Sequence, residues 1–212
     1  MLDLGAGTGR LTAPLAHAAR RVIAVELDPR LAASLRGRWA NVDVVEGDAR
    51  TLALPREPFR VVANLPFAGT NDILRHLLGD DSRLVRADVI VDWGVAVKRA
   101  VPWPSTVRRV VWGARFETTL ARRLPRSCFD PPPSVAAGVL VIRRRQVPLV
   151  PADCQGAYAR FVAEGFRRGV GRGRLPRDLD AHAWAELFLG RQRPTRTVSS
   201  QRGNSSGVRS QP

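Results

Sequence analysis

The sequence predicts an α/β fold: a mostly parallel sheet with an antiparallel edge, followed by a small α-helical C-terminal domain. Three observations predict it. Over residues 1–145, short apolar runs alternate with helix-like stretches, which is the pattern of a parallel sheet covered by helices on both faces. The last two runs of that stretch have no helix between them, so they close the sheet as an antiparallel edge. Near residue 146 the texture changes, with Pro148 and Pro151 interrupting the chain before two amphipathic stretches. We therefore divide the 212 residues into a first domain over 1–145, a small basic helical domain over 146–190, and a disordered arginine-rich tail over 191–212.

The elements follow in order. Met1–Leu4 is a short strand that runs into glycines, and Arg10–Arg20 reads as a helix. Val22–Glu26 is an apolar strand ending in an acid. Pro29–Arg38 is helical, with Asp28 at the N-cap and Pro29 at the first helical position. Val42–Glu46 and Arg60–Ala63 are further strands; Thr70–Leu78 is a helix with Leu74, Leu77 and Leu78 on one face. Val85–Val91 is an apolar strand interrupted by Asp88, and Phe116–Leu124 and Gly138–Arg143 form the antiparallel pair around the loop Cys128–Val135. Asp153–Arg168 and Asp180–Leu189 are the two C-terminal helices.

Charge narrows the partners. Lys+Arg is 34 against 19 for Asp+Glu, a net charge of +15, and Lys98 is the only lysine. Arginine forks onto phosphate and stacks on bases, so this balance favours nucleic acid. Residues 143–212 hold 14 arginines against 5 acids, which concentrates the excess in the C-terminal third. No apolar run approaches the roughly 20 residues that span a bilayer, and Met1–Thr12 has no signal-peptide character. Two cysteines, Cys128 and Cys154, make neither a disulfide framework nor a cysteine-only zinc site, which fits a reduced, cytoplasmic compartment.

Four short motifs follow four strands. In Asp3-Leu4-Gly5-Ala6-Gly7-Thr8-Gly9 the glycines let a ligand approach the backbone. The third glycine falls one residue early for a dinucleotide fingerprint, and Arg10 fills that position. Glu26, about 20 residues beyond the turn, can accept hydrogen bonds from both hydroxyls of a ribose. Asp48, in Gly47-Asp48-Ala49, can accept one from an adenine amine, although a Gly-Asp pair alone is usually a turn.

Asn64-Leu65-Pro66-Phe67 carries the most information. An adenine amine is a poor nucleophile because its lone pair is delocalised into the ring. Hydrogen-bond acceptors on its protons draw the nitrogen toward tetrahedral geometry. The Asn64 side-chain oxygen and the Leu65 carbonyl are such acceptors. Pro66 holds Leu65 extended and so fixes where that carbonyl points. Phe67 offers a face on which an extruded base can stack.

Together these residues resemble the adenine-N6 rRNA methyltransferases, and more narrowly the Erm family of large-subunit rRNA methyltransferases. The resemblance runs over about residues 1–145. It continues through Asp72-Ile73-Leu74-Arg75, Ser82-Arg83-Leu84 and Leu124-Pro125-Arg126 to Phe129-Asp130-Pro131-Pro132-Pro133-Ser134-Val135. It implies a Rossmann-like class I methyltransferase sheet with a small helical C-terminal domain, and S-adenosylmethionine as methyl donor. It also implies a 23S rRNA substrate, naked or pre-ribosomal, whose methylation confers resistance to macrolides, lincosamides and streptogramin B. Carried over by position, Gly5, Ala6, Gly7, Gly9, Glu26, Leu27, Asp48, Ala49 and Asn64 hold the donor. Asn64, Leu65, Pro66 and Phe67 hold the target base. No metal is implied, no membrane, and a monomer is expected.

Two departures stand out. The family places about one helix and a Gln-Asn-Phe-type motif before the first strand, where this chain begins at Met1. The expectation is therefore an in-frame upstream segment, and weak donor binding and little activity for the 212-residue chain alone. Ala68-Gly69-Thr70 replaces a more polar loop, which is expected to loosen the surroundings of Phe67.

Other residues have plainer readings. His17, His76 and His182 lie on separate helices without ligand spacing. Trp93, Trp103 and Trp112 stand among basic residues, but packing is the ordinary role of large aromatics. Cys128 has no base beside it to make it a nucleophile. Three alternative functions share much of this evidence. A small-subunit rRNA dimethyladenosine transferase is distinguished by which rRNA is methylated, and a catalytically impaired RNA-binding remnant by its failure to bind donor. An NAD(P) oxidoreductase is disfavoured by Arg10 and by Asn64–Phe67.

Overall fold

The structure, a computed structural model, describes residues 1–101, 106–170 and 174–192. Seven strands form one sheet: β1 (Leu2–Leu4), β2 (Val22–Glu26), β3 (Val42–Glu46), β4 (Phe59–Asn64), β5 (Leu84–Asp92), β6 (Phe116–Leu124) and β7 (Ala137–Arg144). Their spatial order is β3-β2-β1-β4-β5-β7-β6. The first five pair in parallel, and β7 runs antiparallel to both β5 and β6, so the expected edge is present. The chain order reverses beside β1. In open α/β sheets that is where ligands bind, beyond the carboxyl ends of the strands.

Helices α1 (Thr12–Ala18), α2 (Pro29–Leu35) and α3 (Thr70–Leu77) connect the parallel strands. Asp28 caps α2 as expected, accepting from the backbone N–H of Arg30 at 2.8 Å. Helix α2 stops before Arg36, because Gly37 takes a φ of +74° that ends it. Helix α1 is also shorter than its pattern suggests and has no side-chain cap. Two helices were absent from the sequence reading: α4 (Trp93–Ala100) and α5 (Val107–Gly113). Valines and flanking prolines mask them. Asp92 caps α4 through the Val95 N–H, and Thr106 caps α5 through the Arg109 N–H.

The sheet and α3 share one core, with Leu2, Leu4, Val61, Leu74, Leu77, Val89 and Leu140 at or near zero exposure. A second core joins α5 to the C-terminal helices α6 (Gln155–Arg168) and α7 (Ala181–Gln192) through Val110, Tyr158, Val162, Trp184 and Phe188. Helix α5 contributes to both, since Trp112 packs in the sheet core and Val110 and Ala114 in the helical one. Gly165 lets α6 and α7 meet: a Cβ there would lie 2.5 Å from the Trp184 ring. Trp184 also stacks on Phe166, with ring centroids 5.7 Å apart.

Among the described residues no helix is long and apolar enough to cross a membrane, and no cluster of His, Cys, Asp or Glu is arranged to hold a metal. Trp103 and the expected tail disorder beyond residue 192 lie outside the described residues.

Candidate active site

The turns after β1, β2, β3 and β4 converge on one cleft of about 930 Å³. Within a single cavity this brings Gly5, Gly7, Glu26, Leu27, Asp48, Ala49, Asn64, Leu65, Pro66 and Phe67 together. The two halves touch: a Cβ on Gly5 would stand 3.7 Å from the Pro66 ring.

The glycine turn is set by backbone. Gly5 and Gly7 have φ of +73° and +57°, a region that L side chains rarely adopt. The N–H groups of Gly5 and Ala6 both donate to the Val25 carbonyl, at 2.8 and 3.0 Å. Glu26 then locks the turn: one carboxylate oxygen accepts from the Gly7 N–H at 2.7 Å and the other from the Asp28 N–H at 2.9 Å. Each oxygen keeps lone-pair capacity toward the cleft. Leu27 is 63% exposed beside it and offers an apolar face to the cleft.

Two expected contacts differ. Ala6 is 7% exposed and packs with Ala24 and Leu35, away from the cleft. Gly9, at φ +86°, backs onto Leu35 and Trp39; a Cβ there would lie 2.8 Å from the Leu35 methyl. Neither is among the described residues that line the cavity, and the contacts of both shape the turn.

Asp48 does not stand alone. Arg50 donates to both of its oxygens, with Nε at 2.8 Å from Oδ2, and the Arg50 N–H adds a bond to Oδ1. These bonds hold the Asp48 carboxyl below the usual carboxylate range. Arg50 also reaches toward the loop after Phe67, its Cδ 3.9 Å from where a Gly69 Cβ would be.

Beyond β4, Asn64 is exposed and Leu65 buried, its N–H held by the Ile90 carbonyl at 3.0 Å. Among the described residues neither the Asn64 side chain nor the Leu65 carbonyl takes a hydrogen bond. The Pro66 carbonyl is occupied by the Gly69 N–H and by the hydroxyl of Thr70, a buried residue. The loop expected to be loose is thus a 3₁₀ turn over Phe67–Gly69, pinned at its far end by Thr70.

Several contributors were not singled out from sequence. Thr8, Arg50 and the loop residues Phe129, Asp130 and Pro133 line the cleft, and Arg10 reaches Asp130 at 3.5 Å. Beneath the glycine turn Asp3 is 1% exposed. One oxygen accepts from the Thr12 hydroxyl at 2.7 Å; the other has no hydrogen-bond partner among the described residues. Burial pushes the Asp3 carboxyl up to about 6, against the opposing pull of Thr12 and with a further push from Glu26. Gly-Asp-Ala-Arg and Asp-x-Gly were the available sequence signals, and both were read for their glycine or first acid alone.

The remaining suspects are structural. His76 bonds the Leu52 carbonyl through Nε2 at 2.6 Å, while His17 and His182 are exposed. Trp93 packs on β7 at Gly138 and carries Arg123 over its ring; Trp112 is 9% exposed.

Chemically the cleft suits a nucleoside linked to a cation. Its open backbone at Gly5 and Gly7 admits a ligand, its carboxylates match hydroxyls, an amine and a positive centre, and they would repel a pyrophosphate. S-adenosylmethionine has those features.

Comparison with known proteins agrees. The family model for ribosomal RNA adenine dimethylase matches residues 1–171. The chain is 37% identical over 215 residues to the mycinamicin-resistance protein MyrB of Micromonospora griseorubida, covering 89% of this chain and 68% of that protein. It is 38% identical over 180 residues to an rRNA adenine N-6-methyltransferase of Corynebacterium diphtheriae, covering 84% and 71%. The crystal structure of the 23S rRNA methyltransferase ErmE superposes with a TM-score of 0.77 at 28% identity, covering 89% of this chain and 88% of that one.

Proposed function

The chain belongs to the ribosomal RNA adenine dimethylase family, and from that premise we propose that it methylates the N6 of an adenine in 23S rRNA and so confers resistance to macrolides, lincosamides and streptogramin B. The observation that carries this reading is the single cleft in which the Glu26–Asp48 half adjoins the Asn64–Phe67 half. One half suits the donor nucleoside and the other an extruded adenine.

When bound, S-adenosylmethionine supplies an electrophilic methyl group on a sulfonium. The residues supply alignment. Glu26 accepts from the donor ribose, Leu27 covers one face of its adenine, and Asp48 accepts from that adenine's amine while Arg50 holds the carboxylate ionised. Asn64 Oδ1 and the Leu65 carbonyl, unused among the described residues, accept from the target amine and aim its lone pair. Phe67 stacks on the flipped base. No proton is abstracted before attack. Positioning of a nucleophile against an electrophile is worth about 7–11 kcal/mol, so alignment alone supplies a large part of the acceleration. The enzyme works as a cytoplasmic monomer on naked or pre-ribosomal RNA.

The test is methylation of protein-free 23S and 16S rRNA with labelled donor, with the modified base identified. Label on adenine N6 of 23S rRNA is expected. Label on 16S rRNA, or on another base, overturns the reading. Phe67→Ala should lose transfer while keeping donor affinity, and Phe67→Tyr should retain both; equal loss of donor affinity in Phe67→Ala would mean the ring is structural.

A further inference from the structure

Away from the strand ends, a second cleft of about 760 Å³ opens between α3, α4 and α5. Its walls are cationic. Arg99, on α4, donates to Asn71 Oδ1 at 2.8 Å, and its guanidinium lies 5.1 Å from the centre of the Trp112 ring. Arg108, on α5, lies 6.0 Å from the same ring. Trp112 is almost wholly buried, so it is a seat for two cations and not a platform for a base.

The other charges around this seat are already used. Arg75 of α3 pairs with Asp72, and Arg115 with Asp80 and the Leu78 carbonyl. Among the described residues Arg99 and Arg108 form no salt bridge. Burial, then the nearness of Arg108 and Arg75, pulls Arg99 below its ordinary value. Arginine keeps its charge under such pressure, and Asp80, the one acid among the described residues that line the cleft, is already paired with Arg115, so Arg99 and Arg108 are left without a carboxylate partner there.

Position identifies the anion. Asn71 and Arg75 lie on α3, which begins three residues after Phe67. Eight residues of helix span about 12 Å, so the arginines stand within a few nucleotides of a base resting on Phe67. A guanidinium matches a phosphate bidentately, and the chain's net charge of +15 already favours a polyanion. We propose that Arg99 and Arg108, seated on Trp112, grip the phosphodiester backbone of the RNA strand that flanks the target adenine. The inference rests on the rRNA reading above and adds a place and a direction for the strand: out of the active cleft, along α3, toward α4 and α5.

The experiment measures binding of a protein-free 23S rRNA transcript against salt concentration. Arg108 is exposed, so Arg108→Gln tests the idea without endangering the fold, and Arg99→Gln with Arg108→Gln completes it. Each lost phosphate contact should flatten the slope of log K against log salt by about 0.7–0.9, and Arg108→Lys should restore it. Affinity for S-adenosylmethionine should not change. An unaltered slope in the double variant, with donor binding intact, overturns the proposal and leaves the function standing. Loss of binding that ignores salt also overturns it. A wild-type chain that neither binds nor methylates the transcript overturns both readings.

Discussion

At the strand ends, Glu26 and Asp48 sit on turns held by backbone N–H groups: Asp28 and the more distant Gly7 on Glu26, and Arg50 on Asp48. On the α3–α5 face, Arg99 and Arg108 come from separate helices and meet only over Trp112. The first cleft is acidic and backbone-built; the second is basic and built of long side chains. The division follows the ligands. A small cationic donor needs fixed dipoles and carboxylates at defined positions. A polyanion needs charge density and tolerates flexible arms. The sharpest way to break this division is at the point where both ligands meet. Asn64→Ala removes one acceptor from the target amine and touches neither the acids nor the arginines. Transfer should fall by about 10²–10³, well beyond any fall in donor affinity, with the RNA salt slope unchanged. A matching fall in donor affinity would place Asn64 in the donor half alone.

The next effect isolates the acidic cleft. Glu26→Gln keeps the shape but removes charge and weakens the bonds to the Gly7 and Asp28 N–H groups. Donor affinity should drop about 10- to 100-fold, since a charged acceptor is worth about 1.5–3 kcal/mol. RNA binding should be untouched; calorimetry with donor and filter binding with RNA separate the two. Were RNA binding to fall as well, the clefts would not be independent.

The same contrast explains what the sequence made legible. The strand-end turns lie after four strands whose apolar runs stand out, and Gly5, Glu26, Asp48 and Asn64–Phe67 each announce themselves within a few residues. The arginine cleft gave no such signal. Its arginines come from α4 and α5, and neither helix was read, because valine-rich stretches beside prolines score poorly as helix. Tertiary packing overrides that preference: Ala96 of α4 is buried against the sheet, and Val110 of α5 against α6 and α7. Within the donor cleft, what escaped was side-chain partnership. Arg50 on Asp48 and Thr12 on Asp3 depend on rotamers that spacing does not fix.

The smallest effect on the reaction concerns Asp3, which supports the glycine turn from below and touches no ligand in the proposed mechanism. Its carboxyl titrates near 6 when folded, against 3.8 for the unperturbed group. A raised value means that the folded state prefers the protonated acid. Asp3 therefore costs nothing below about pH 4. It destabilises progressively as pH climbs toward 6, where the buried group ionises. A shift of about two units corresponds to roughly 3 kcal/mol by pH 7, fully developed only above the folded value. Asp3→Asn has the same shape and cannot ionise. Its melting temperature should equal the wild type's near pH 3.5 and exceed it increasingly between pH 4 and 7, while donor affinity at neutral pH changes less than about threefold. The direction follows from burial, and among the described residues one Asp3 oxygen has no hydrogen-bond donor to offset its ionisation. A variant less stable than wild type at pH 7 would mean that the ionised carboxylate is stabilised where it sits. The acidic cleft would then rest on a charge pair, not on its backbone turns.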